Sequence, residues 1–153
     1  MSYILVGGTF DSLHKGHRKM IEKAFSLGGK VLVCLTSDEM VKDKHLSWHI
    51  DTYEKRKSKL KDFLMSKKWL SEAEIVKIEN PFSEGLRPGL THIVISEETR
   101  GNAEKINRMR SENRLAPLEI IEIEWELAED GKTVSDMRIR KGDIDREGCV
   151  TSQ

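Results

Sequence analysis

Neither sign of charge prevails in this sequence: 26 Lys plus Arg are matched by 26 Asp plus Glu, and the formal net charge is zero. Nucleic-acid binders usually carry a basic excess, so a general polyanion binder is disfavoured and no nucleic-acid partner is expected. Long apolar runs are also missing. Val31 to Leu35 is among the longest, far short of the ~20 residues that span a bilayer, so no membrane segment is expected. Met1-Ser2-Tyr3-Ile4-Leu5-Val6-Gly7 has no basic n-region and runs straight into a glycine turn. It reads as a first strand rather than a signal peptide, which places the expectation in the cytoplasm. The two cysteines, Cys34 in an apolar run and Cys149 near the end, make neither a disulfide framework nor a Cys-rich zinc pattern, so free thiols are expected. Repeats, low-complexity tracts and interdomain linkers are absent, and 153 residues suit one domain spanning 1–153, since domains run about 100–200 residues. Asn plus Gln number five against sixteen Lys and seventeen Glu, a lean toward thermophile composition.

What is present is 37% hydrophobic residues, enough for a core, arranged in alternating short apolar runs and amphipathic stretches. Residues 4–6 form a buried first strand ending at Gly7-Gly8. From 15 to 27 the apolar positions Met20, Ile21, Ala24, Phe25 and Leu27 recur at helical spacing, and Gly28-Gly29 stops the helix. Residues 30–36 are a second buried strand, which completes a βαβ unit with a right-handed crossover onto a parallel sheet. A polar stretch leads to a helix from about 52 to 70 with Tyr53, Leu60, Phe63, Leu64 and Trp69 on its apolar side. Strands follow at 74–78 and 92–95, then a helix at 102–113, a fifth strand at 118–124 suited to a half-exposed edge, and a short helix at 135–141. The fold expected is a doubly wound α/β domain with a five-stranded parallel sheet and a ligand site at the strands' carboxyl ends.

The densest functional signal follows the first strand: Gly7-Gly8-Thr9-Phe10-Asp11-Ser12-Leu13-His14-Lys15-Gly16-His17. Two glycines let backbone amides approach a ligand, Thr9 adds a hydroxyl, and the helix that follows points its positive N-terminus into the same crevice. That combination is an anion site. His14 and His17 are three apart, so their rings project to one side, and Gly16 between them removes a side chain that would block a phosphate. Imidazole N–H groups there can donate to phosphate oxygens as negative charge builds up. Two rival readings stand beside this one. A His-x-x-His pair can ligate a metal, but third and fourth ligands are not evident, and no metal site is expected. Either histidine can also be an ordinary capping residue. The turn is not Gly-x-Gly-x-x-Gly, and Gly131-Lys132-Thr133 has Glu126 where a P-loop needs its upstream glycine, so both of those phosphate motifs fail.

Gly-Gly-Thr-Phe-Asp-x-x-His-x-Gly-His after a first strand resembles the nucleotidyltransferase superfamily with the His-x-Gly-His motif. Further matches narrow the resemblance: Thr36-Ser37-Asp38-Glu39, Ile95-Ser96-Glu97-Glu98-Thr99, Ile106-Asn107 with Arg110, Pro117-Leu118-Glu119-Ile120, and Arg138 to Asp145 with Gly148. Over nearly the whole length the chain is similar to the archaeal type of phosphopantetheine adenylyltransferase, a Rossmann-like domain. The resemblance implies attack of the 4′-phosphopantetheine phosphate on the α-phosphorus of ATP, with Mg²⁺ on the triphosphate, giving dephospho-coenzyme A and pyrophosphate without a covalent enzyme intermediate. Such catalysis is positioning and charge stabilisation. By motif position it implies that His14 and His17 hold the ATP phosphates, that Thr9 touches the reacting phosphoryl groups, and that Gly7, Gly8 and Phe10 line the nucleotide cleft. Lys42 or Lys44 would take the acceptor phosphate, or else belong to a solvated basic face. Arg100 would reach the triphosphate or the pantetheine arm, or else form a surface ion pair.

The superfamily's second signature, Ile-Ser-Ser-Thr-x-Ile-Arg, stands here as Val134-Ser135-Asp136-Met137-Arg138-Ile139-Arg140. Ser135, Arg138 and Arg140 remain as triphosphate contacts, the guanidinium forks suiting phosphate bidentately, with helix-surface charge as the alternative. Asp136 replaces a hydroxyl with an acceptor that repels a triphosphate unless Mg²⁺ or Arg138 intervenes. Two further functions therefore remain open at this level. One is a related cytidylyltransferase or FMN or NMN adenylyltransferase, and the other is a non-catalytic nucleotide or coenzyme A binding protein. The zero net charge is itself a sum of unlike parts, with nine Lys or Arg against four acids over 42–68 and acids concentrated in 119–130. The sequence carries no indication of oligomeric state.

Overall fold

The computed structural model describes residues 2–11, 13, 15–42 and 50–124. The readings made above on His14, Lys44, Ser135, Asp136, Arg138, Arg140 and the last helix fall outside the described residues. In chain order the elements are β1 (Ser2–Gly8), α1 (Lys15–Ser26), β2 (Gly29–Thr36), α2 (Asp38–Val41), α3 (Tyr53–Ser66), β3 (Ala73–Ile78), β4 (His92–Ile95), α4 (Arg100–Glu112) and β5 (Glu119–Glu122). The five strands form one sheet in the order β3-β2-β1-β4-β5, and every neighbouring pair is parallel. The expected doubly wound α/β architecture is therefore the one observed.

The strand period of two explains how this sheet acquires helices on both faces. In β1 and β2, Ile4, Val6, Val31, Val33 and Leu35 point into one core layer with Met20 and Ile21 of α1 and Leu60 and Leu64 of α3. The alternate residues Leu5, Leu32 and Cys34 point into the other layer with Ile93 and Ile95 of β4 and Ala103 and Ile106 of α4. Both faces are covered, so the strands are apolar throughout. β5 differs because it lies at the edge, where Glu119 and Glu122 stay exposed, in line with the half-exposed edge strand expected.

Several boundaries shift for identifiable reasons. β1 extends beyond residues 4–6 because the register with β2 pairs Ser2 with Gly29 and Gly8 with Leu35. The polar stretch after β2 contains α2, started by Ser37, whose hydroxyl accepts the Met40 N–H at 3.2 Å. α3 begins where Thr52 caps it and ends at Ser66 rather than 70, because Lys68 turns left-handed (φ 63°) and a 3₁₀ turn spans Leu70–Glu72. That reversal carries Trp69 onto Phe25, the rings stacked at 4.6 Å between centroids. No helix among the described residues is long and apolar enough to cross a membrane.

The α1 to β2 junction has the tightest packing requirement. Gly28 is left-handed (φ 69°) with open space where a Cβ would go, whereas a Cβ on Gly29 (φ 152°) would lie 2.1 Å from the Ser2 carbonyl oxygen. Gly28→Ala should therefore cost about 1 kcal/mol of backbone strain, while Gly29→Ala should cost at least ~2 kcal/mol more, because β1 and β2 must separate at their first pair. Urea unfolding of the two variants checks the order; equal costs would contradict it.

Candidate active site

β1 lies at the middle of the sheet, and the chain leaves it for β2 on one side and later returns to β4 on the other. This is the topological switch point, where the connections diverge and leave a crevice at the carboxyl ends of the strands. A cleft with a cavity volume of about 350 Å³ occupies that place. The turn after β1 forms one wall through Gly7, Gly8, Thr9 and Phe10, with His17 of α1 beside it. Ser96, Thr99 and Asn102 close the opposite wall, and Leu5, Cys34, Ile93 and Ile106 make an apolar inner surface.

The turn is shaped by its glycines and by two residues in an uncommon conformation. A Cβ on Gly8 would lie 3.2 Å from the Phe10 ring, so glycine lets that ring fold back against the strand end. Phe10 and Leu13 are both left-handed, at φ 48° and 46°, a costly conformation for bulky side chains that must be held by its surroundings. Phe10 is fully buried and meets His17 edge-on, the ring centroids 5.1 Å apart. His17 is thereby fixed on the first turn of α1, and that turn holds no acidic residue. The helix's positive end is left for an anion in the cleft.

The sequence-predicted site residues divide into two sets. Gly7, Gly8, Thr9, Phe10 and His17 are brought together around the cleft. Lys42 and Arg100 are not among its lining residues. Lys42 caps α2 and donates to Glu39 at 2.8 Å, with both side chains exposed. Arg100 opens α4 and pairs with Glu122, its Nε 2.6 Å from Oε1. That pairing pushes the Arg100 guanidinium above its ordinary range and holds the Glu122 carboxyl below the usual one. Among the described residues, no group of three or more His, Cys, Asp or Glu side chains is placed to hold a metal ion.

One residue escaped the sequence reading. Arg56 counts there only among the nine basic residues of 42–68, yet it is fully buried. Its Nε donates to the Asp51 carbonyl at 2.9 Å, Nη1 to the Thr9 carbonyl at 3.1 Å and the Thr36 hydroxyl at 3.3 Å, and Nη2 to Asp38 Oδ1 at 3.2 Å. The signal was present in the spacing. The buried residues Tyr53, Arg56, Leu60 and Leu64 of α3 follow the helical period, so Arg56 lies on the apolar stripe. α4 repeats the arrangement with Ala103, Ile106 and Arg110, where burial lowers the pKa of the Arg110 guanidinium. Arg110 donates to the carbonyls of Gly85 (2.8 Å), Arg87 (3.1 Å) and Ala116 (2.7 Å), so it ties to α4 the segment that brings Gly85 to the cleft.

A parallel sheet with a glycine-rich turn at its switch point defines an α/β domain of the Rossmann-like class, and the comparisons agree. The family described as cytidylyltransferase-like matches residues 5–142. The chain is 42% identical over 151 residues to the phosphopantetheine adenylyltransferase of Methanosarcina acetivorans, covering 97% of this chain and 95% of that one. It is 44% identical over 147 residues to that of Pyrococcus horikoshii, covering 95% and 92%. A crystal structure of an Archaeoglobus fulgidus protein of unknown function superposes with a TM-score of 0.71 at 35% identity, covering 80% of this chain and 89% of that one. The chain belongs to the phosphopantetheine adenylyltransferases, within the cytidylyltransferase-like family.

Cys34 lies on the inner surface of the cleft, below Gly7. Burial, reinforced by the negative charge of Glu84, pushes its thiol up to about 12. In the folded protein at pH 8, alkylation of Cys34 should be slower than in urea by on the order of 10³-fold, the thiolate being that much scarcer. Peptide mapping after iodoacetamide treatment measures this, and rapid labelling in the native state would contradict it.

Proposed function

We propose that this protein transfers the adenylyl group of ATP to 4′-phosphopantetheine. An acceptor phosphate oxygen attacks the α-phosphorus, the bond from that phosphorus to the bridging oxygen breaks, and pyrophosphate leaves with dephospho-coenzyme A as the other product. The observation that carries the reading is the cleft itself: the Gly7-Gly8-Thr9-Phe10 turn and His17 stand together at the carboxyl end of the central strand. They do so in a chain that aligns over nearly its full length with proteins named for this reaction.

The chemistry asked of the protein is positional. Both reactants carry phosphate, and the charge that moves in the transition state spreads over phosphoryl oxygens. His17 donates an imidazole N–H to those oxygens, Thr9 adds a hydroxyl, and the first turn of α1 supplies its positive end. Mg²⁺ enters with ATP as part of the substrate. The apolar inner surface receives the uncharged part of a substrate, where water would compete with the transfer. Lys42 takes the acceptor phosphate and Arg100 the triphosphate, each exchanging its carboxylate partner, Glu39 or Glu122, for the ligand. His14, Ser135, Arg138 and Arg140 complete the phosphate contacts in this reading.

The test is pyrophosphate release from Mg-ATP and 4′-phosphopantetheine. Turnover with that pair is expected; release only with CTP, or only with FMN or NMN as acceptor, would overturn the assignment in favour of another member of the superfamily. ATP binding by calorimetry with no turnover on any acceptor would make the protein a binder rather than an enzyme. His17→Ala should lower kcat by at least ~100-fold, as removal of one preorganised donor does, with the fold retained by circular dichroism. Near wild-type turnover in that variant would remove His17 from the mechanism.

A further inference from the structure

The segment after β3 forms part of the cleft wall, where Asn80, Glu84 and Gly85 stand among the apolar residues Cys34, Ile78 and Ile106. It is held from behind. Arg110 donates to the carbonyls of Gly85 and Arg87, and a 3₁₀ turn spans Ser83–Leu86. An apolar wall thus carries one carboxamide and one carboxylate on a clamped piece of chain.

The bonding of Asn80 decides which end of its amide is available to a ligand. Its Oδ1 accepts the N–H groups of Phe82 and Ser83, both at 2.9 Å. Only the oxygen of a carboxamide can accept, so these two bonds fix the orientation of the group and leave Nδ2, a donor, unused among the described residues. Glu84 is divided in the same way. Its Oε2 takes Arg87, with Nε at 3.2 Å and Nη2 at 3.0 Å, and Oε1 remains as an acceptor. The Glu84 side chain is only 25% exposed, and its charge reaches the inner surface of the cleft, where it helps to push up the Cys34 thiol. A spare donor and a spare acceptor on one wall match the carbonyls and N–H groups of an amide-bearing chain.

The sheet sets a compatible distance. β3 lies two strands from β1, about 10 Å at the usual strand separation, and the phosphate turn closes β1. 4′-Phosphopantetheine carries two secondary amides, whose carbonyls stand roughly 6 and 11 Å from its phosphorus in an extended chain. ATP carries none. An acceptor whose phosphate meets the turn therefore brings amide groups to the end of β3.

We infer that Asn80 and Glu84 determine acceptor specificity, Asn80 Nδ2 donating to an amide carbonyl of the pantetheine arm and Glu84 Oε1 accepting an amide N–H. This rests on the reading of 4′-phosphopantetheine as the acceptor. Both residues act away from the reacting phosphates.

The experiment uses two variants that keep the internal bonds of the wall. Asn80→Asp keeps an oxygen for Phe82 and Ser83 and turns the donor into an acceptor; Glu84→Gln keeps an oxygen for Arg87 and turns the acceptor into a donor. Pyrophosphate release gives kcat and KM, and an alkyl phosphate of similar length without amides is measured as a competitive inhibitor against 4′-phosphopantetheine. In each variant KM for 4′-phosphopantetheine should rise at least ~10-fold, since a polar group of the arm then meets its own kind. Both kcat and KM for ATP should stay within about threefold, as loss of uniform binding requires. The inhibition constant of the alkyl phosphate should also stay within about threefold of wild type, because it has no amide to lose. An unchanged KM for 4′-phosphopantetheine in either variant overturns the inference. So does an equal loss for the alkyl phosphate, which would trace the effect to added charge or a displaced wall. A wild type that forms no product from 4′-phosphopantetheine overturns the acceptor reading and this inference together, whereas a wild type that turns it over beside an unimpaired Asn80→Asp variant overturns this inference alone.

Discussion

The turn after β1 cannot support itself. Phe10 and Leu13 sit in the left-handed region, and the Thr9 carbonyl next to them points into the protein, where it needs a donor. Arg56 supplies that donor from α3, and the same side chain reaches the end of β2 at Thr36, the start of α2 at Asp38 and the segment before α3 at Asp51. Two carboxylates strengthen the arrangement. Asp38 also accepts the Tyr53 N–H at 2.7 Å, and Asp11 accepts the Asp51 N–H at 2.9 Å. Three pieces of chain, at residues 9, 36–38 and 51–56, thus meet around one planar cation at the carboxyl edge of the sheet.

That edge is where the fold provides an opening. A parallel sheet with helices on both faces has no exposed face for a ligand, and its switch point is the place where the connections diverge. The cleft there combines a polar rim, built from backbone amides, hydroxyls and His17, with an apolar inner surface drawn from the core itself. The division suits a substrate that is charged at one end and uncharged at the other. Charge on this protein is correspondingly local. The basic residues of α3 and its approach do not form a uniform solvated face, since Arg56 turns inward, Lys59 pairs with Asp51 at 2.5 Å and Lys42 pairs with Glu39. Among the described residues no Lys or Arg lines the cleft, so its fit to an anion comes from the helix end, the hydroxyls and His17.

The architecture was readable from pattern because parallel strands buried on both faces announce themselves as β-branched runs between amphipathic helices. β4 agrees residue for residue with expectation, and β5 shows its edge position in the exposed glutamates at its two ends. Boundaries moved where partners decided them: β1 lengthened because β2 pairs with it, and α3 shortened because Trp69 found Phe25. In the site, residues contiguous in the chain were readable. The Gly7 to His17 motif carries its own geometry, a strand end, a tight turn and a helix start.

The sequence by itself determined the sheet, the crevice and the glycine turn, because each follows from local spacing and from which residues avoid water. Only the tertiary structure decided what holds the turn, because Arg56, Thr36 and Thr9 are separated by up to 47 residues and an arginine in a run of lysines has the composition of a surface. It also decided that Lys42 and Arg100 rest on Glu39 and Glu122 outside the cleft. Pairing among exposed charges depends on which side chains the fold brings within reach, and that depends on tertiary distance, which composition and periodicity do not encode.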